Sequence, residues 1–331
     1  MTSPLPRFKP ERHDQERDPP RCPACGRDTA ERALPSVEPG FQLLRCPDCG
    51  LGRTWPPESA DRIGAWYPAL YYGKGNVRFN PLFELWIRWF RMRRARVLHN
   101  RVTRGPVLDV GCGRGLMLDY LRGLGYAPHG VEFSETAAWH ARHVLRIPVT
   151  VEDFVRAPRE RDRYNAIIFW HSLEHFSNPV AAVARAYEAL KPGGLLVVAV
   201  PNYDSWQARA FGRCWFHLDV PRHYFHFGAR SLEAVLARHR FRVVQLDHFS
   251  LEQNPYGILQ SLYNALGFRF NLLYSLLKAD SARVDTFRTH PFQTLAVALL
   301  LPLLLPACLG ACALEAALRS GGTIEAYAFK E

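Results

Sequence analysis

The segment FWHSLEHFSNP, Phe169 to Pro179, places His171, Glu174 and His175 within five positions. Such a set could ligate a metal or move a proton, because histidine titrates near neutral pH and a carboxylate can fix its orientation. The spelling His-x-x-Glu-His also belongs to metalloprotease helices, in which both histidines share one helical face a turn apart. Here the apolar run YNAIIFW ends at Trp170, and Ser177-Asn178-Pro179 has the form of a helix start. The histidines therefore fall in a loop after a strand, and a protease helix is rejected. Two uses stand side by side: His175 as a general base supported by Glu174, or both residues bonding backbone to shape the loop. A second cluster, DVPRHYFHF (Asp219 to Phe227), supplies His223 as a rival base or substrate contact.

A different chemistry is written in VLDVGCGRG, Val107 to Gly115. The spacing is G-x-G-x-G, not the G-x-G-x-x-G that cradles a pyrophosphate. Gly111 and Gly113 remove side chains where a small zwitterionic ligand would approach the backbone. Asp109 is placed to meet an ammonium group, and Glu132, at the end of the next strand, to accept two ribose hydroxyls. EDF follows a third strand and offers Asp153 to an adenine amino group and Phe154 to its ring face. Core packing and turn capping are the bland alternatives for Phe154 and Asp109.

Four cysteines form the pairs CPAC (Cys22, Cys25) and CPDC (Cys46, Cys49), each followed by glycine. Four thiolates at this spacing suit a closed, tetrahedral structural Zn2+ site. A redox dithiol is a poor reading, since no thioredoxin-like strand and helix flank either pair.

The elements that must hold these groups alternate between apolar runs and helical patterns from Gly105 onward, the mark of a parallel α/β sheet. The reading is a disordered tail over 1–20, a zinc ribbon over 21–56, and a connector with a basic aromatic helix over 57–104. A core follows over 105–250, then an apolar helical insertion over 251–320 and a last strand over 321–331. With 42 Lys and Arg against 31 Asp and Glu, the formal charge is +11. That suits an anionic partner, either nucleic acid or a membrane surface. The helix NPLFELWIRWFRMRRARVLH, rich in tryptophan and arginine, is either an interfacial anchor or a helix packed on its own domain. In the insertion, Leu295 to Leu314 carries no charge. Pro302 and Pro306 are expected to break it into halves of roughly 15 Å, too short to cross a hydrocarbon core of about 30 Å. Monotopic attachment is the expectation, with a buried cap or dimer interface as its rival. The first twenty residues hold no apolar core of the kind a secretory signal needs. The expected place is therefore the cytoplasm, peripheral or monotopic at the inner membrane.

From Gly105 to Phe249 the chain resembles class I S-adenosylmethionine-dependent methyltransferases, with VLDVGCGRG as the first motif and LKPGGLLVVAVPN around the fifth strand. GGTIEAYAFK is similar to that fold's antiparallel last strand. The resemblance implies a seven-stranded Rossmann-like sheet and S-adenosyl-L-methionine as cofactor. It extends the cofactor pocket to Cys112, Phe133 and Trp170. LEHFSNP resembles the matching loop of ubiquinone-pathway O-methyltransferases, some of which use a glutamate–histidine pair to hold a divalent metal. This sequence has His171 where those carry glutamate. LLRCPDCGLGRTWPPES resembles the leader of zinc-containing methyltransferases of cell-surface glycan and natural-product pathways. O-methylation of a small-molecule, glycan or lipid-linked acceptor is expected. An RNA methyltransferase using ribbon and basic surface, and a non-catalytic binding module, are the alternatives.

Overall fold

The computed structural model describes residues 21–27, 31–36, 38–58, 66, 77, 79–279 and 281–331. The expected tail, and most of the connector before the aromatic helix, lie outside the described residues. The strands β1 (Glu31–Pro35), β2 (Gln42–Arg45) and β3 (Gly52–Trp55) precede helix α1 (Pro81–His99). The alternating part runs β4 (Pro106–Val110), α2 (Leu116–Gly123), β5 (Ala127–Glu132), α3 (Glu135–His143), β6 (Val149–Val151), β7 (Tyr164–Trp170) and α4 (Pro179–Ala189). It continues through β8 (Leu190–Pro201), α5 (Trp206–Phe211), β9 (Phe225–His226), α6 (Ala229–Arg238) and β10 (Phe241–Asp247). Four helices, α7 (Asn254–Ala265), α8 (Leu272–Leu277), α9 (Ser281–Thr289) and α10 (Pro291–Ala317), lead to β11 (Thr323–Lys330).

The main sheet has the order β10-β11-β8-β7-β4-β5-β6. Strands β8 to β6 in that row are parallel, and β11 runs antiparallel between β10 and β8. Strands buried on both faces read as continuous apolar runs, and successive residues of β4, β7 and β8 enter opposite cores. Leu108, Ile167 and Val198 pack on one side with Ala326, and Val107, Ile168 and Val197 on the other with Tyr327. The chain reverses its direction of travel between β4 and β7, which opens a crevice at their carboxyl ends. Local capping agrees with the sequence: Ser134 accepts from Ala137 N–H at α3, and Asn178 from Ala181 N–H at α4, whose first residue is Pro179. Residues Leu173–His175 form one 3-10 turn between β7 and α4, so the histidine loop lies at that crevice.

A second sheet, β1-β2-β3-β9, joins the cysteine-bearing segment to the main body. Cys22, Cys46, Cys49 and Leu51 share one hydrophobic cluster with Phe225, Phe227 and Leu236.

The expected break at Pro302 and Pro306 is not found. The helix α10 runs unbroken for 27 residues with both prolines inside it. Each proline removes one N–H from the ladder, but they stand four residues apart on a single exposed stripe, so the missing bonds fall on one side and the remaining ladder holds. Val297, Cys308 and Cys312 pack it against Ile258, Leu259 and Tyr263 of α7. Near its end, buried Glu315 accepts from Gln207 N–H and Nε2–H, both at 3.0 Å.

Candidate active site

The glycine loop leaves β4 at Val110 and enters α2 through three left-handed residues, Gly111, Gly113 and Gly115. Two of them are fixed by packing: a Cβ at Gly111 would stand 2.7 Å from Ser172 Cβ, and one at Gly115 2.7 Å from Ala141 Cβ. A Cβ at Gly113 would meet nothing within 4 Å. The loop is therefore packed at both ends and open in the middle, as approach of a ligand to the backbone requires. Cys112 turns its sulfur inward beneath Gly130, so its backbone, not its thiol, belongs to the loop.

Glu132, at the end of β5, accepts from Gly113 N–H (2.9 Å) and Phe133 N–H (2.8 Å). It thus joins the loop to the neighbouring strand. Burial pushes its carboxyl up, against those backbone N–H groups, which draw it down. Phe133 is exposed beside it. Asp109 is buried at the end of β4; burial raises its carboxyl to about 7, opposed by the guanidinium groups of Arg91 and Arg94. Asp153 accepts from Val155 N–H at 2.9 Å and so caps the turn after β6. Phe154 lies in the core, its ring centroid 5.6 Å from that of Phe169 and 6.3 Å from that of Phe176. The structure thus brings Asp109, Gly113 and Glu132 together and puts the Phe154 ring among core aromatics.

Trp170 ends β7 with its ring 4.1 Å from the Arg94 guanidinium carbon. Arg94 and Arg91 both bind Glu252, which precedes α7, and Arg114 of the glycine loop binds Glu84 of α1 at 2.6 Å. Helix α1 therefore lies over the crevice with charged residues inward. Sequence reading missed this layer. Its signal was available: Glu84, Arg91, Arg94 and Leu98 fall at helical spacing on the face opposite Leu82, Leu85 and Trp89.

His175, in the turn after β7, meets His223 edge to face, ring centroids 4.7 Å apart and planes at 71°. The Nδ1–H of His175 donates to the Arg222 carbonyl at 2.9 Å, and that of His223 to the His217 carbonyl at 3.0 Å. Each bond selects the tautomer whose lone pair is on Nε2. Glu174 is 1% exposed and both of its carboxyl oxygens lack a hydrogen-bond partner among the described residues. Burial raises it to about 7, against the lowering effect of His175. His171 Nδ1 lies 3.5 Å from Glu174 Oε1, but burial, with Arg94 nearby, drives His171 down to about 3. The contact is therefore between a neutral imidazole and a carboxyl group, not an ion pair. Ligand atoms of Glu174, His175 and His223 lie within 4.8 Å of one another, and an orphaned carboxylate beside two Nε2 lone pairs fits a divalent cation.

Cys22, Cys25, Cys46 and Cys49 also converge within 4.8 Å. Sulfur–sulfur distances of 3.6 Å (Cys22–Cys49) and 3.5 Å (Cys25–Cys46) are close to the roughly 3.8 Å edge of a tetrahedron with Zn–S bonds of about 2.3 Å. The four cysteines fit Zn2+.

Residues 86–246 match a family described as "Methyltransferase domain". The ubiquinone biosynthesis O-methyltransferase of Paraburkholderia phytofirmans is 32% identical over 136 residues, which are 38% of this chain and 56% of that protein. The enzyme of the same name from Thiobacillus denitrificans is 31% identical over 142 residues, 39% of this chain and 57% of that protein. The chain thus spans little more than half the length of these curated relatives. A SAM dependent methyltransferase from Archaeoglobus fulgidus is similar in structure, with a TM-score of 0.47 and 18% identity, covering 73% of this chain and 94% of that one.

Proposed function

We propose, from the match of residues 86–246 to a methyltransferase-domain family, that the chain methylates an oxygen of a small-molecule, glycan or lipid-linked acceptor at the cytoplasmic face of a membrane. When bound, S-adenosyl-L-methionine supplies an electrophilic methyl group on a sulfonium whose departure leaves a neutral thioether. Asp109 receives the ammonium of that cofactor and Glu132 its ribose hydroxyls, beside the open backbone at Gly113. Alignment of the acceptor is then the main task of the protein. His175 takes the hydroxyl proton at Nε2, so the acceptor oxygen is an alkoxide-like nucleophile as it attacks. Glu174 stabilises the imidazolium that results. The observation that carries this reading is the His175 Nδ1–H bond to the Arg222 carbonyl, which orients the ring as a base.

A second reading uses Glu174, His175 and His223 as ligands of a divalent cation that would lower the pKa of the acceptor hydroxyl. The orphaned carboxylate favours it. Dialysis against chelator followed by metal titration separates the two: the base reading expects no metal stoichiometry beyond that of the four cysteines.

The reaction is tested by incubating the protein with methyl-labelled cofactor and a lysate fractionated into lipid, glycan and RNA. Label is expected in the lipid or glycan fraction. Label confined to RNA would establish the nucleic-acid alternative, and no cofactor binding at all the non-catalytic one.

A further inference from the structure

We infer that Thr54 is a positioning residue through which the cysteine-bearing segment sets the orientation of His223 beside His175. This rests on the acceptor-site reading above. Strand β3 pairs antiparallel with β9, Gly52 opposite His226 and Arg53 opposite Phe225. The approach is close enough that a Cβ on Gly52 would stand 2.9 Å from His226 Cβ. Beyond the last paired residue the contact continues through Thr54. Its backbone N–H donates to the Tyr224 carbonyl at 3.0 Å. Its hydroxyl donates to the His223 carbonyl at 2.6 Å and lies 3.1 Å from His226 Nε2. A hydroxyl has one proton and two lone pairs, so it satisfies both partners at once when His226 Nε2 carries hydrogen. Burial keeps His226 neutral, at about 3, which agrees with that arrangement.

The opposite side of the same dipeptide is tied to the catalytic turn, because Tyr224 N–H donates to the Glu174 carbonyl at 2.9 Å. Residues His223 and Tyr224 are thus gripped between the turn that carries Glu174 and His175 and a threonine five positions past Cys49. The cysteine knuckle shares a hydrophobic cluster with Phe225 and Phe227, and Arg238 at the end of α6 donates to the Pro23 carbonyl at 3.0 Å. Thr54 is 2% exposed, so its lost hydroxyl cannot be replaced by bulk water. A segment that folds on its metal therefore has a direct mechanical route to one imidazole of the proposed acceptor site.

The test uses the full chain purified with zinc, as wild type, Thr54→Val and Thr54→Ser. Two quantities are read: S-adenosylhomocysteine affinity by calorimetry and hydrogen exchange in the peptide spanning Arg222 to Phe227. The valine variant should exchange there about tenfold faster, the scale of one buried hydrogen bond, with ligand affinity unchanged. The serine variant should match wild type, and zinc removal should reproduce the valine pattern. Unchanged exchange in the valine variant overturns the inference, as does a loss of ligand affinity that tracks the faster exchange. Absence of S-adenosylhomocysteine binding in wild type would instead sink the methyltransferase reading, leaving the exchange result to judge Thr54 alone.

Discussion

On the proposed reading, Asp109 must be ionised to receive the ammonium group of the cofactor. Burial raises it to about 7, while an ammonium needs the carboxylate. As pH falls below that value the proton must be expelled before binding, so affinity drops by about tenfold per unit. S-adenosylhomocysteine titrated by calorimetry between pH 5 and 8 should show this slope, and Asp109→Asn should be weaker and flat; a flat wild type would remove Asp109 from the cofactor site. For His175→Ala, cofactor affinity should stay within about twofold while transfer slows by roughly 10²–10⁴, the range of a lost general base. Turnover unchanged in single-turnover assays would show that the ring only shapes the loop. The positions of both residues next to strand ends were legible in the sequence, because local signals mark those ends. Phe154 was less so: its place beside Asp153 suggested a ligand face, and only the surrounding Phe169 and Phe176 show which way the ring turns.

At the scale of elements, α1 and α10 each present two different faces. Arg94 of α1 is 5% exposed and pairs with Glu252. Arg91 still pairs with Glu252 when Arg94 is removed, so Arg94→Met should cost about 1.5–3 kcal/mol in denaturant unfolding, the scale of one hydrogen bond to a charged group. Adding Glu252→Gln should restore part of that; additive losses would argue against coupling. The outer face of α1 exposes Leu82, Trp86 and Trp89, and that of α10 exposes Leu295, Leu299 and Leu303. Helix α10 is long and apolar enough to cross a membrane, yet its two ends are held to the body, Val297 against α7 and Glu315 to Gln207. An interfacial position satisfies both facts. Flotation with anionic vesicles should therefore weaken at least tenfold in Leu299→Glu/Leu303→Glu, at about 2 kcal/mol or more for two charges placed in an apolar layer. Equal flotation of the double variant would turn attention to α1.

For the whole molecule, the cysteine segment is continuous with the main body through β3 and β9 and through a shared hydrophobic cluster. Chelation should lower the melting temperature of the entire body, not melt a separate small unit, because metal binding to a folded site is folding free energy. Calorimetry resolving an independent low-temperature transition with the main one unmoved would contradict that continuity.

The sequence alone determined where chemistry could occur: the glycine turn after β4, the acid ending β5, the histidine loop between β7 and α4, and two matched cysteine knuckles. These are read from neighbours, since caps, turns and strand ends are set by residues a few positions apart. The tertiary structure decided which face of α1 is buried, that Pro302 and Pro306 do not end α10, and that Thr54 reaches His223. Each of those depends on partners far away in the chain, such as Arg94 with Glu252 at 158 positions or Thr54 with His223 at 169, and no local periodicity encodes a contact of that kind.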